Sequence, residues 1–291
     1  MDIVSYVSRL PKPGETISGE GFLTNSGGKG LNQAVACSRL GGSTYMVGAI
    51  GDDSYGQALI KTLTDFVVDA SCVTTVDTHS GIAVITVSSG QNSIIISGGA
   101  NMQLPAQYVV DTLTQYAQKG DILLTQLETP IDVTYAALKT AKKLGMTTIL
   151  NPAPAVILDK ELYPLVDIIT PNETETQILT GILPEDPDSI NKGLGALIAL
   201  GVKSAIITLG SNGIALYTDG KAALIPAVKV KAVDTTAAGD TFVGTLSSAL
   251  SRGEALESAC KLGVKAAALT CTRKGAAISI PSLDEVHAFD G

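Results

Sequence analysis

The sequence predicts an α/β protein in three layers: a mostly parallel central sheet with helices on both faces, carrying a small antiparallel sheet as a lid. Two observations predict it. Short β-branched runs alternate with longer stretches of helical periodicity, which is the pattern of repeated βα units. Two segments, at about 3–24 and 80–97, break that rhythm with paired strand-like runs joined by Pro/Gly or Ser-Gly turns. With 291 residues and 45% hydrophobic content the chain can bury a large core. A single domain over 1–291 is expected, with the lid built from within it.

Taken in order, strands are expected at 44–50, 121–125, 147–150, 167–170 and 205–209. Helices are expected at 30–40, 54–64, 131–144, 173–179 and 189–200, and an amphipathic run covers 242–250. In the lid, Ile82 to Val87 and Ser93 to Ile96 form a hairpin across a loop at 88–92. Ligands of such sheets gather at the carboxyl ends of the strands.

Composition excludes several function classes. A formal net charge of −8 argues against a nucleic-acid or anionic-membrane surface and favours a small-molecule partner. No apolar run approaches the roughly 18 residues of a membrane span, and the N-terminus lacks a basic segment followed by an apolar one, so a cytoplasmic protein is expected. Cys37, Cys72, Cys260 and Cys271 show no C-x-x-C spacing and neither His79 nor His287 lies near them, which points to buried free thiols. Aromatic residues are 4% of the chain and Trp is absent, a poor basis for a base-stacking surface.

The most informative stretch is Asp234-Thr235-Thr236-Ala237-Ala238-Gly239-Asp240-Thr241-Phe242. Small residues let the N–H groups of Ala237, Ala238 and Gly239 approach an anion at a helix N-terminus, where the helix adds partial positive charge. Asp240 beside that turn can take a proton from a hydroxyl attacking phosphorus; the alternative is an ordinary helix cap. A second signal is Gly27-Gly28-Lys29-Gly30-Leu31-Asn32-Gln33-Ala34. It is not a Walker P-loop, because Gly30 follows Lys29 where Ser or Thr is required. It reads either as a glycine-rich turn into a helix with an exposed Lys29, or as a set of donors that Gly28 and Asn32 present to a polyol.

These two stretches resemble the signature regions of the ribokinase family of carbohydrate kinases. Between them, in the family's order, stand Gln126-Leu127-Glu128-Thr129-Pro130, Asn151-Pro152-Ala153-Pro154, Pro171-Asn172-Glu173-Thr174-Glu175 and Thr208-Leu209-Gly210-Ser211-Asn212-Gly213. The chain closes with Thr272-Arg273-Lys274-Gly275-Ala276 and Ser279-Ile280-Pro281. The resemblance covers essentially the whole chain and implies the ribokinase-like fold. It also implies ATP-dependent phosphorylation of the primary hydroxyl of ribose, with Asp240 as base and the amides of Ala237, Ala238 and Gly239 as anion hole.

By the same resemblance the sugar is held by Asp2, Gly28, Lys29, Asn32, Glu128 and Asp240. ATP lies against Asn172, Thr208, Leu209, Gly210, Ser211, Asn212, Gly213 and Gly239, with Glu175 reaching Mg²⁺ through water. A K⁺ site falls at Asp234, Thr236, Thr270, Arg273, Gly275 and Ser279, mostly through main-chain carbonyls. On the residues alone, Glu128 also suits the start of the helix at 131 and Asp234 also suits a cap of its own turn. A homodimer through the lid sheet is expected.

Two departures stand out. The chain begins at Met1-Asp2, where family members have completed a first core strand and an Asn of the sugar pocket, so both are expected to be missing. Val264 stands where the family carries a polar residue near the adenine. A deoxyribokinase or other small-furanose kinase is the alternative reading, and a non-catalytic sugar- or nucleotide-binding protein is the alternative of another class.

Overall fold

A computed structural model describes residues 1–88 and 91–289. The elements run β1 (Asp2–Tyr6), β2 (Gly21–Asn25), α1 (Lys29–Arg39), β3 (Gly48–Gly51), α2 (Ser54–Asp65), β4 (Val73–Val76), β5 (Ile82–Ser88), β6 (Gln91–Ser97) and α3 (Ala106–Tyr116). They continue through β7 (Ile122–Thr125), α4 (Ile131–Leu144), β8 (Thr147–Leu150), β9 (Ile168–Ile169), α5 (Glu173–Thr180), α6 (Pro187–Ala199) and β10 (Ser204–Thr208). The chain ends with β11 (Ile214–Thr218), β12 (Lys221–Ile225), α7 (Ala238–Ser251), α8 (Leu256–Cys271) and α9 (Leu283–Ala288).

The central sheet has the order β12-β11-β10-β9-β8-β7, parallel from β7 to β10 and antiparallel from β10 to β12. β3 and β4 form a separate parallel pair, and among the described residues no strand pairs with the outer edge of β7. Helices cover both faces. One apolar cluster joins Leu138 of α4 and Leu194 and Leu197 of α6 to Leu150, Ile169 and Ile207 on one face. The other joins Phe242, Val243 and Leu246 of α7 and Val264 of α8 to Ile149, Ile168 and Ile206. Alternate residues of one strand feed opposite clusters, as the period of two requires.

The lid is a four-stranded sheet of order β2-β1-β5-β6. Its outer pairs are antiparallel as expected, but its central pair, β1 with β5, is parallel. β1 and β5 are each the first strand of a hairpin and leave the main body in the same direction, so they meet side by side pointing the same way. Of the expected lid loop, 89–90 lie outside the described residues. The strand expected at 44–50 is shorter, with Tyr45 making only an isolated bridge to Asp69 before β3 begins at Gly48.

At the amino ends of the sheet strands, away from the lid, Asp167 ties three strands and a helix together. Its carboxylate takes Lys142 of α4 at 2.7 Å and Lys203 at 2.6 Å, and accepts the Thr148 N–H at 2.9 Å. Burial opposes ionisation here, but the two ammonium groups and Thr148 outweigh it and bring the Asp167 carboxyl down to about 2. A depressed carboxyl pKa stabilises the fold above the unfolded value near 4 and loses that contribution as pH falls towards 2. Acid unfolding should therefore steepen in that window. Asp167→Asn should cost about 1–3 kcal/mol at pH 7 and flatten the pH 4-to-2 limb, as read by thermal melts across pH.

Candidate active site

The site forms where α1, α7, the loop after β7 and the first lid strand converge. The turn into α7 is tight because Ala237 adopts a left-handed conformation (φ 59°) and the Asp234 carboxylate anchors the loop. Asp234 Oδ1 accepts the Thr236 N–H at 2.9 Å and hydroxyl at 2.6 Å, and Oδ2 accepts the Gly275 N–H at 3.0 Å. Burial would raise this carboxyl, but those hydrogen bonds, with the Lys274 charge, lower it. Of the three amides expected to face an anion, Ala238 donates to the Thr235 carbonyl at 3.2 Å, closing the turn. Among the described residues the N–H groups of Ala237 and Gly239 have no partner, and open space lies beside Gly239.

Asp240 sits in the first turn of α7, facing α1. Asn32 Nδ2 donates to its Oδ2 and Gln33 Nε2 to its Oδ1, each at 2.9 Å. These short reaches depend on Gly244: a Cβ there would lie 2.5 Å from Ala36 Cβ and 2.6 Å from the Gln33 carbonyl. The residue allows the two helices to approach closely.

Gly28, with φ 98°, caps α1 and turns the Lys29 N–H onto Glu128 Oε2 at 2.9 Å. Glu128 follows β7, at the carboxyl end of the strand. Asp2 on β1 reaches the same place because Gly27 has no side chain; a Cβ there would run into the Asp2 carboxylate. Burial raises the Asp2 carboxyl, the amino terminus partly offsets this, and the Asp240 charge adds to the rise. Burial likewise raises Glu128 against the Lys29 N–H and charge, with Asp240 and Asp2 adding. Three carboxylates thus face one another around Lys29, an arrangement that favours a ligand rich in hydroxyl donors. Asn32 Oδ1 is buried with no hydrogen-bond partner, an acceptor left for such a donor.

A second group lies across the cleft. Asn172 caps α5 in a reciprocal pair with Glu175, each side chain accepting the other's N–H at 2.8 Å. Glu175 Oε1 has no partner among the described residues and remains open to a water. Burial raises Glu175, the Asn172 N–H and Lys29 oppose this, and Asp240 and Glu173 add to it. Thr208 donates its N–H to the Pro171 carbonyl at 2.9 Å, which brings the 208–213 turn beside Asn172. In that turn Gly210 faces open space, and Gly213 (φ 95°) packs against the main chain at Ile225.

The residues expected to hold K⁺ surround the Asp234 loop. Cys271 accepts the Asp234 N–H at 3.2 Å, and the Thr270 and Ser279 side chains bond to Thr241 Oγ1 and to the Ala276 carbonyl. The Arg273 guanidinium turns away to Glu285 at 2.7 Å, leaving only its main chain available. A donor set of one carboxylate with main-chain oxygens, as expected from the sequence, would suit a hard cation. Among the described residues no group of three or more His, Cys, Asp or Glu side chains forms a metal cluster. Val264 is a core residue, 6% exposed and packed with Phe242. All four cysteines are free, Cys72 and Cys260 buried, Cys37 and Cys271 half-buried.

The family model of the pfkB carbohydrate kinases matches residues 1–283. The chain belongs to the pfkB family of carbohydrate kinases. It is 42% identical to the ribokinase of Haemophilus influenzae over 290 residues, covering 99% of this chain and 94% of that protein. It is 35% identical to the deoxyribokinase of Salmonella typhi over 292 residues, covering 99% and 95%. Among solved structures, the ribokinase of Arabidopsis thaliana complexed with ribose and ATP matches with a TM-score of 0.90 and 36% identity, covering 98% and 94%. This pfkB kinase brings its two signature stretches together, with Asp240 of the second bonded to Asn32 and Gln33 of the first.

Sequence reasoning placed Asn32 in the site but gave no role to its neighbour Gln33 or to Gly244. Gly244→Ala should cost about 1–3 kcal/mol of stability, the usual range for overpacking a filled interior. It should also lower turnover in excess of that loss, because separating α1 from α7 withdraws both amides from Asp240. Thermal melts and steady-state kinetics on the same preparation check this.

Proposed function

We propose that this chain transfers the γ-phosphoryl group of ATP to the primary hydroxyl of D-ribose, giving ribose 5-phosphate and ADP. The observation that carries the reading is the Asp240 carboxylate, held by Asn32 and Gln33 one residue beyond the unpaired Gly239 N–H. Asp240 takes the hydroxyl proton as the sugar oxygen attacks phosphorus, and the Ala237 and Gly239 amides stabilise the charge on the transferring group. Asp2, Gly28, Lys29, Asn32 and Glu128 hold the sugar hydroxyls. The ribose and ATP bound to the Arabidopsis relative support both substrates.

ATP lies along Asn172 and the 208–213 turn. Mg²⁺ is met through water by Glu175, whose free Oε1 suits that role, and neutralises phosphate charge when bound. A K⁺ ion would be held beside Asp234, mostly by main-chain oxygens of Thr236, Thr270, Arg273, Gly275 and Ser279, and would steady the turn that carries the anion-binding amides. We read 1–291 as one cytoplasmic kinase domain. Among the described residues no helix is long and apolar enough to cross a membrane.

A second reading, phosphorylation of 2-deoxyribose, is favoured by the identity to the Salmonella deoxyribokinase. ATP turnover with ribose, 2-deoxyribose, fructose or no sugar, with and without K⁺, separates the two. Ribose should give the highest kcat/KM, and Asp240→Asn should lower kcat by roughly 10²- to 10⁴-fold with the KM for ATP little changed. Sugar-independent or absent turnover by folded protein overturns the kinase reading.

The chain works as a homodimer through the lid. On its outer face Ile3, Val84 and Ile95 line up in one cross-strand row, with Phe22 in the next; Phe22 is 68% and Ile95 71% exposed. An apolar row of this kind on a small sheet needs a cover. A second copy supplies a matching one. Light scattering should give a dimer mass, and Val84→Lys with Ile95→Lys should give a folded monomer.

A further inference from the structure

Asn32 and Gln33 are adjacent on α1, and successive helical residues point about 100° apart. Both nonetheless reach the same carboxylate, one amide to each oxygen. Their remaining valences differ. Asn32 Oδ1 is buried and unpaired. Gln33 is 1% exposed and fully committed. One N–H of its Nε2 goes to Asp240 Oδ1 and the other to Asn151 Oδ1 at 3.0 Å, while its Oε1 accepts from Gln126 Nε2.

The direction of this chain of amides is fixed at its far end. Asn151 Nδ2 donates to the Thr170 main-chain carbonyl at 2.9 Å, and a carbonyl has no proton to give. Asn151 must therefore turn its oxygen to Gln33, and Gln33 must turn its nitrogen to Asn151 and Asp240. Reversing Gln33 would set its oxygen against two acceptors in a buried site and strand the Gln126 donor, which is costly where water cannot compensate.

We infer that Gln33 is a positioning residue: through Asn151 and the Thr170 carbonyl, it fixes the plane of the Asp240 carboxylate and directs its free lone pairs away from α1. This rests on the kinase reading for its kinetic consequence, but not for its structural one. The other charged groups facing Asp240 are Asp2 on β1, Glu128 after β7 and Glu175 on α5. They remain in place when Gln33 is changed.

The test uses Gln33→Met, Asn151→Leu, their double variant and the milder Gln126→Met, each as full chain. With ribose and ATP, Gln33→Met should lower kcat about 10- to 100-fold and change the KM for ribose less than about threefold. Asn151→Leu should lower kcat less, and should add little in the Gln33→Met background because both act through one amide. Gln126→Met, which leaves the Asp240 contact intact, should show a smaller change of the same kind and serves if Gln33→Met does not fold. Loss of melting temperature with unchanged kcat, or additive effects in the double variant, overturns the inference. A crystal structure of ligand-free Gln33→Met decides independently of any substrate. Asp240 should leave its present orientation, and a carboxylate that keeps it overturns the inference. If the parent chain does not turn over ribose, the kinase reading fails while the crystal structure still judges Gln33.

Discussion

The site depends on the close crossing of α1 and α7 at Gly244. Packed helices usually keep their axes about 8–10 Å apart, a distance set by the side chains between them. Here the Gly244 backbone fills the contact against Ala36 and the Gln33 carbonyl. On another side of α7, Gly263 of α8 makes similar room for Phe242, since a Cβ there would lie 2.8 Å from the ring. α7 is thus gripped from two directions by near-backbone contacts, and its residues from Thr241 to Ala249 are buried. A carboxylate in its first turn inherits that rigidity. Asn32 can span from one helix to the other only because the helices are this close.

Around that fixed carboxylate the charges do not balance within the protein. Asp2, Glu128 and Glu175 are each raised chiefly by burial, and each rises further in the field of Asp240. Lys29 opposes the rise at Glu128 and Glu175 alike. Grouping carboxylates in this way costs stability in the absence of ligand, and a polyhydroxylated ligand with several O–H donors relieves the cost. Asn32 Oδ1 makes the same demand on a smaller scale. A sugar lacking one hydroxyl would leave an acceptor unpaired, and sites of that kind discriminate strongly. Asp2 belongs to the lid strand but packs against Gly27, so one acceptor of the cleft is carried by the lid itself.

Much of this was legible in the sequence where local signals were strong. Helix α4 and strand β8 fall on the expected residues because Pro130 precedes the helix, Lys142 and Lys143 occupy its last turn, and Gly145 closes it in a left-handed conformation. Helix α8 went unassigned because its Ala, Gly and Cys residues carry little periodic contrast, yet those small residues let it pack closely on α7. Strands β11 and β12 escaped notice despite the Asp219-Gly220 turn between them. The parallel pairing of β1 with β5 joins residues about eighty positions apart, and no local pattern encodes it. Gln33 was missed for a related reason. A glutamine after a glycine-rich turn reads as surface, and only its partners on three other elements explain why it is buried.

The turn into α7 shows how such a site is kept ready. Ala237 pays for a left-handed conformation that costs on the order of 1–2 kcal/mol without a glycine. Asp234 meets that strain with three hydrogen bonds, two within the loop and one to Gly275, while Val233 and Asp234 both donate N–H groups to the Cys271 carbonyl. The loop is therefore knotted to the end of α8 before any ligand arrives, and the unpaired amides are aimed in advance. In the proposed reaction Ala237 and Gly239 would meet developing charge without reorganising, which is the condition for a hydrogen-bond donor to favour a transition state over a ground state. The Asn32–Gln33 clamp would do the same for Asp240, the proposed base. Both halves of the chemistry are thus set by contacts among α1, α7 and the end of α8, and the lid and the 208–213 turn are left to bring the two ligands to them.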